Sequence, residues 1–308
     1  MFNRIRIMLT NTIPTVYDSL TSDTLDARIG VILVNIVAIG TLKGGTGKTT
    51  VLFNMAGILA EKHKVLVIDL DPQCNLSGAC NAKQNIDWRK LIKKIPVKIM
   101  PSSRDIFEGR GDIGPEDMVV KSPIPGLKKL DIIPGNMLMT ATEFSLVNRA
   151  ARESVLYNYI EDNRDFFEQY DYILLDTNPS LGVINQNAFA AADHIVLVTD
   201  VGEDGIDGAG MFLYLWGEIC RSLRRKSRVD ALIINRADRR TNLTRDLYDF
   251  CMEDEFFKDI LVRDMIFEKI IYKNARMDHE PVNIRADGGA AAFDVRNVVN
   301  QLKERGVF

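Results

Sequence analysis

Short runs of consecutive apolar residues, rich in Val, Ile and Leu, recur along the chain and alternate with longer stretches of helical spacing. The runs fall at 34–42 (VNIVAIGTL), 64–71 (KVLVIDLD), 130–135, 170–177, 194–200, 230–235 and 258–266. They are too short for buried helices and rich in β-branched residues, which predicts strands buried on both faces. Between them, 49–63, 137–168, 181–192, 206–224, 243–255 and 291–305 read as helices. In the first of these Leu52, Met55, Ala56 and Leu59 share one face. Strands alternating with helices imply right-handed β-α-β crossovers, and so an α/β fold with a doubly wound, mostly parallel sheet flanked by helices. Residues 81–129 are less regular and read as mixed helix and loop. Residues 1–30 show no clear period and read as an N-terminal extension with room for one short helix; the domain proper is 31–308.

Composition adds bounds. With 308 residues, 46% of them hydrophobic and 26% charged, the chain can bury a large core, and global disorder is excluded. A net charge of −3 carries no whole-chain signal for nucleic acid or membrane, so local charge has to decide. The four cysteines, Cys74, Cys80, Cys220 and Cys251, form no C-x-x-C pair and have no histidine at metal-ligand spacing. They read as reduced thiols of a cytoplasmic protein. No apolar run reaches the ~18 residues of a membrane span, and the first twenty residues lack the apolar core of a secretory signal.

The chemistry concentrates where the first strand meets the first helix. In AIGTLKGGTGKTT a strand enters, a glycine-rich turn follows and a helix leaves, the context of a phosphate-binding loop. Gly44, Gly45 and Gly47 let backbone N–H groups converge on phosphate oxygens, and the helix N-terminus adds partial positive charge. Lys48 can reach β- and γ-phosphates, the Thr49 hydroxyl can ligate Mg²⁺, and Thr46 and Thr50 complete the loop. The usual pattern has a glycine six residues before the lysine; Leu42 stands there, and Lys43 follows it. Beside an empty loop Lys43 would be repelled by Lys48, so it is either a solvated lysine or a second phosphate ligand, one that could reach a partner subunit's site.

Read as a unit, K-G-G-T-G-K-T-T resembles the deviant Walker A motif of the ParA/MinD class of ATPases. In that class the first lysine contacts the nucleotide of the opposite subunit in an ATP sandwich dimer. The resemblance implies ATP and Mg²⁺ as cofactors, a homodimer formed on ATP binding, and Lys43, Lys48 and Asp71 in catalytic roles. Further segments match in order. VIDLDPQCNLSG resembles the D-x-D-P-Q-x-N segment, in which Asp71 orients or activates the attacking water and counts among the metal residues while Asp69 supports it. YDYILLDTNPSLG resembles Walker B, with Asp176 as metal ligand and Asn178 where a proline is usual. Asn235, at a strand end in LIINRADRRTN, is the base-contact candidate, although an Asn there also suits a turn. NARMDHEPVNIRADG resembles a late loop near the adenine, which puts Pro281 among the nucleotide-binding residues. The resemblance runs from about residue 34 to 305.

Within the class, local charge points to DNA. From Arg221 to Arg245 there are nine basic residues against Asp230 and Asp238, the composition of a phosphate-facing patch. Arg224 and Arg225 lie in it, and Arg240 and Arg276 match DNA-binding arginines of ParA relatives. The reading is a cytoplasmic, nucleoid-associated partition ATPase that binds nonspecific DNA as an ATP dimer. Its hydrolysis is slow until stimulated by a ParB-like centromere-binding or adaptor protein. A ParA-like positioner of protein cargo would use the same parts. A MinD-like membrane ATPase would need an amphipathic C-terminal helix with a bulky apolar face. The actual stripe of Phe293, Val298 and Leu302 suits packing on the domain body, so no membrane partner is expected. An iron–sulfur reductase would need bridging cysteines in other segments.

Overall fold

The computed structural model describes residues 34–308; the 1–30 extension lies outside the described residues. Among the described residues seven strands form one sheet: β1 (Asn35–Gly40), β2 (Val65–Asp69), β3 (Val120–Lys121), β4 (Leu130–Ile133), β5 (Tyr172–Asp176), β6 (His194–Asp200) and β7 (Ala231–Asn235). Their order is β3-β4-β2-β5-β1-β6-β7, parallel throughout except for the short edge strand β3. The helices used below are α1 (Lys48–Leu59), α2 (Asn75–Ala79), α3 (Trp88–Ile92), α4 (Met139–Leu146), α5 (Val155–Asp162), α6 (Val183–Ala191), α7 (Glu203–Ser222), α8 (Asn242–Glu253), α9 (Ile271–Met277) and α10 (Gly289–Glu304). The doubly wound parallel sheet expected from the alternation is present.

Successive strand residues point to opposite faces, and both faces are buried. Ile36, Ala38, Ile68, Leu175 and Leu197 join one core with Leu156, Phe189, Phe212 and Leu247. Val37, Ile39, Val67, Leu174 and Val198 join the other with Leu52, Phe53, Met55, Val298 and Leu302. Helix α1 is buried at every position except Thr50, wider than the single face its spacing predicts, because the sheet lies on one side and α10 and the 281–284 segment lie on the other. On α10, Val298 and Leu302 are buried as expected, but Phe293 is 63% exposed; Val295 and Val299 complete the inward stripe.

Three readings change. The run 258–266 is not a strand. Val262 N–H donates to the Leu232 carbonyl and Ile266 N–H to that of Ile234, so four residues advance on one side for two on β7, and the excess loops out. The stretch 137–168 breaks at Ala151, which adopts a left-handed φ of 52°, into α4, a 3-10 turn, α5 and a final short helix. The late loop 274–288 begins inside a helix, α9. The irregular 81–129 region does mix short helices with loop, and it also supplies β3.

The topology aims chain ends at one edge. β1 lies between β5 and β6, with Ile39 opposite Asp176; Asp69 also pairs with Asp176, and Asp200 with Asn235. The carboxyl ends of β1, β2, β5, β6 and β7 therefore gather around the glycine-rich turn, where open α/β sheets bind ligands.

Candidate functional site

Gly45 and Gly47 sit at φ of 84° and 85°, a region that L side chains rarely adopt. A Cβ at Gly47 would also lie 2.3 Å from the Asn235 amide nitrogen. These two positions turn the chain so that α1 starts at Lys48 with its N-terminus at the sheet edge. Behind the loop, Lys48 Nζ is 2.6 Å from one Asp176 oxygen and Thr49 Oγ1 donates to the other at 2.8 Å. All three side chains are buried. The ammonium and hydroxyl that would serve a nucleotide are held by the carboxylate of the neighbouring strand.

Lys43 points the other way. Its Nζ is 3.0 Å from Asp200 Oδ1 at the end of β6, and its backbone N–H donates to Thr41 Oγ1 at 3.2 Å. Gly202 and Gly208 leave room for it: a Cβ on Gly208 would meet Lys43 Cβ at 3.4 Å. The two lysines of the loop are thus divided between two carboxylates on opposite sides of β1.

β2 ends at Asp69, and the chain has turned by Asp71. Asp69 is fully buried and accepts from Asp71 N–H, Ser77 N–H and Ser77 Oγ–H at 3.1, 2.8 and 2.6 Å. Burial raises its pKa to about 7, with the Asp176 charge adding to the effect and the Ser77 bonds opposing it. Asp71 accepts from Gln73 N–H at 2.8 Å, and burial raises its pKa as well. Asp69 is thereby a brace that shapes the turn carrying Asp71. Ser77, on α2, was not singled out by its sequence context, although a serine eight residues after a strand-end aspartate is the available signal.

Beside the loop opens a cleft of about 460 Å³, lined by Gly47, Thr50, Asn235, Arg236, Lys273 and Arg276 among others. Asn235 lines this cleft, and its Nδ2 donates to the Thr46 carbonyl at 2.7 Å, which leaves Oδ1 as the side-chain atom not engaged in that bond. Arg236, missed from the sequence, donates to the Gly45 carbonyl at 2.7 Å. Pro281 does not line the cleft. It packs on Gly57 of α1, where an added Cβ would stand 2.5 Å away, about 13 Å along the helix from the loop.

The expected DNA residues separate. Arg276 lines the cleft and reaches Thr50 Oγ1 at 3.3 Å, so it faces the glycine-rich loop. Its Nε is buried with no hydrogen-bond partner, and it makes no ion pair among the described residues. Arg224 and Arg225 precede β7, whereas Arg240 follows it. Five strand residues, about 16 Å, place them at opposite ends of the sheet, so the contiguous basic run is not one patch. Arg240 is exposed but bidentate to its own Asp238, and Arg225 donates to the Ala190 carbonyl.

A protein-family model described as an AAA domain matches residues 34–229, and a Methanocaldococcus jannaschii protein is 32% identical over 250 residues, 80% of this chain and 90% of that protein. The chain belongs to the ParA/MinD class of P-loop ATPases. This ParA-like chain is also 26% identical to the sporulation initiation inhibitor protein Soj of Bacillus subtilis, over 80% of the chain and 87% of Soj. In fold it resembles a putative plasmid partition protein of Borrelia burgdorferi bound to AMPPNP (TM-score 0.68, 20% identity, 88% and 99% covered). It also resembles cobyrinic acid a,c-diamide synthase of Mycobacterium smegmatis with ADP and magnesium (TM-score 0.67, 22% identity, 89% and 96% covered). The last two do different jobs on one fold, so function has to be argued from the site.

Proposed function

We propose that this ParA-like protein is a DNA partition ATPase, in which ATP closes a homodimer that holds nonspecific DNA and a partner protein triggers hydrolysis and release. The observation that carries the reading is the division of the two loop lysines: Lys48 is turned into its own phosphate site, and Lys43 is turned out of it toward Asp200. A lysine that does not serve the loop of its own chain is available to the nucleotide of a second one. The donor set fits Mg²⁺-ATP. One hydroxyl and one carboxylate, Thr49 and Asp176, lie 2.8 Å apart, the sparse protein ligation that Mg²⁺ accepts alongside phosphate and water. Bound Mg²⁺ would neutralise charge developing on the phosphates. Asp176 would release Lys48 to them, and Asp71, on its braced turn, would orient the attacking water. The exposed arginines after β7, Arg239 and Arg245, supply cations at the nucleotide end of the sheet, and Arg240 would join them by leaving Asp238. The same chemistry would serve a positioner of protein cargo. The inward stripe of α10 gives no support to a MinD-type C-terminal anchor. The test is a duplex-DNA titration with ATP, ADP and no nucleotide at two salt concentrations. Binding that needs ATP, falls with salt and ignores sequence is expected; equal binding in all three nucleotide states refutes it.

A further inference from the structure

Residues 88–100, WRKLIKKIPVKIM, form an excursion whose ends are clasped: the Gln84 amide donates to the Met100 carbonyl at 2.9 Å and accepts from Met100 N–H at 3.1 Å. Two properties coincide on it. It holds five cations, Arg89, Lys90, Lys93, Lys94 and Lys98, and the sequence has no carboxylate between Asp87 and Asp105. Asp87 itself caps α3 through the Arg89 and Lys90 N–H groups. None of the five is ion-paired among the described residues, whereas Arg240, Arg285 and Arg296 are each held by carboxylates. Arg89 lies 4.4 Å over the Trp88 ring instead. The segment also leaves large apolar side chains in water: Trp88, Ile92, Ile95 and Met100 are exposed, Ile92 at 72%, and α3 buries no residue.

We propose that residues 88–100 dock on the surface of an anionic lipid bilayer. Cations answer the headgroup charge and the Trp and Ile side chains enter the interface, the pairing of basic and bulky apolar groups that interfacial segments use. Duplex DNA would answer the cations alone and leave Ile92 and Ile95 exposed. The docking segment is joined to the site. Lys83, just before the clasp, holds the Gln73 carbonyl at 3.1 Å, two residues from Asp71. This inference does not rest on the DNA reading.

The test is flotation of the full chain with phosphatidylcholine vesicles and with vesicles that also contain phosphatidylglycerol. Binding to the anionic vesicles only is expected. The double variant K93E/K94E should lose about thirtyfold in affinity from the two removed cations alone. I92A/I95A, at unchanged charge, should also bind more weakly, and more so at high salt where the apolar part dominates. ATP binding and circular dichroism of both variants should match the parent. No binding to anionic vesicles, or binding that I92A/I95A leaves unchanged, overturns the proposal. Vesicle binding absent while K93E/K94E weakens duplex-DNA binding would also overturn it and make the segment a nucleic-acid surface.

Discussion

In the single chain Lys43 rests on Asp200, and a lysine that is to cross into a second subunit must first leave that carboxylate. Asp200→Asn removes the charge and keeps an oxygen for the Gly202 N–H that Asp200 now accepts at 3.3 Å. The Lys43 and Asp200 side chains are 26% and 18% exposed at a separation of 3.0 Å. A pair this open contributes only ~0.5–1 kcal/mol after solvent screening. Each dimer breaks two such pairs, so the variant should favour the ATP dimer by ~1–2 kcal/mol, roughly five- to thirtyfold in the dimerisation constant. Sedimentation velocity with ATP, in an Asp71→Ala background that blocks turnover, measures it directly. Raising the salt should narrow the gap between parent and variant, because screening weakens the pair that only the parent has. Lys43→Ala should dimerise more weakly than either. If Asp200→Asn dimerises no better than the parent while Lys43→Ala is impaired, Asp200 does not restrain the lysine. If Lys43→Ala dimerises normally, the crossing itself is refuted.

Three further outcomes follow from the packing. Arg276→Ala should lower ATP and ADP affinity alike, by about tenfold for a lost charge-assisted contact, with DNA binding unchanged at saturating ATP; calorimetry and a DNA titration separate the two. Gly57→Ala should destabilise by ~1–2 kcal/mol, because the added methyl meets Pro281 and Asn283, a clash that outweighs the ~1 kcal/mol gain in helix propensity. Its Tm should fall by roughly 2–8 °C with nucleotide affinity intact. Asp69 gives a pH signature. Its folded pKa is raised to about 7, so its contribution to stability is fully present below the unfolded value near 4 and is lost as pH rises through 7. Between pH 5 and pH 8 the nucleotide-free parent should therefore lose more stability than Asp69→Asn, by at least ~1 kcal/mol in urea unfolding. Parallel pH profiles would refute it.

The phosphate loop was legible because its chemistry is local: the glycines, the lysines and the strand–turn–helix context all lie within a dozen residues. The parallel sheet was legible because a strand buried on both faces writes itself as an uninterrupted Val/Ile/Leu run. What was not legible depended on distance. The run at 258–266 has strand composition, and only its pairing with β7 reveals the extra residues that spoil the register. Pro281 was placed by a motif, but Gly57, more than two hundred residues earlier, decides where it packs. The basic run 221–245 is continuous in sequence and divided in space, since five residues of strand carry the chain across the sheet.

The strand-end carboxylates give both loop lysines a counter-charge within the chain. Two lysines five residues apart on one glycine-rich turn repel each other unless each has a partner of opposite charge. Asp176 takes the charge of Lys48 and the hydroxyl of Thr49 together, and Asp200 takes Lys43, so each cation has an anion on a different neighbour of β1. The sheet order makes this possible, because β1 is flanked by β5 and β6, both of which end in aspartate. On the proposed function, nucleotide binding would be an exchange in which phosphate replaces carboxylate at Lys48 and Asp176 becomes available to hold the metal. That exchange occurs within one chain. An exchange at Lys43, on the β6 side of β1, would need an anion from outside its own loop. On the proposed function, the asymmetry of the two aspartates would separate nucleotide loading from dimer closure. Asp176→Asn should impair loading in the monomer, and Asp200→Asn should alter closure alone.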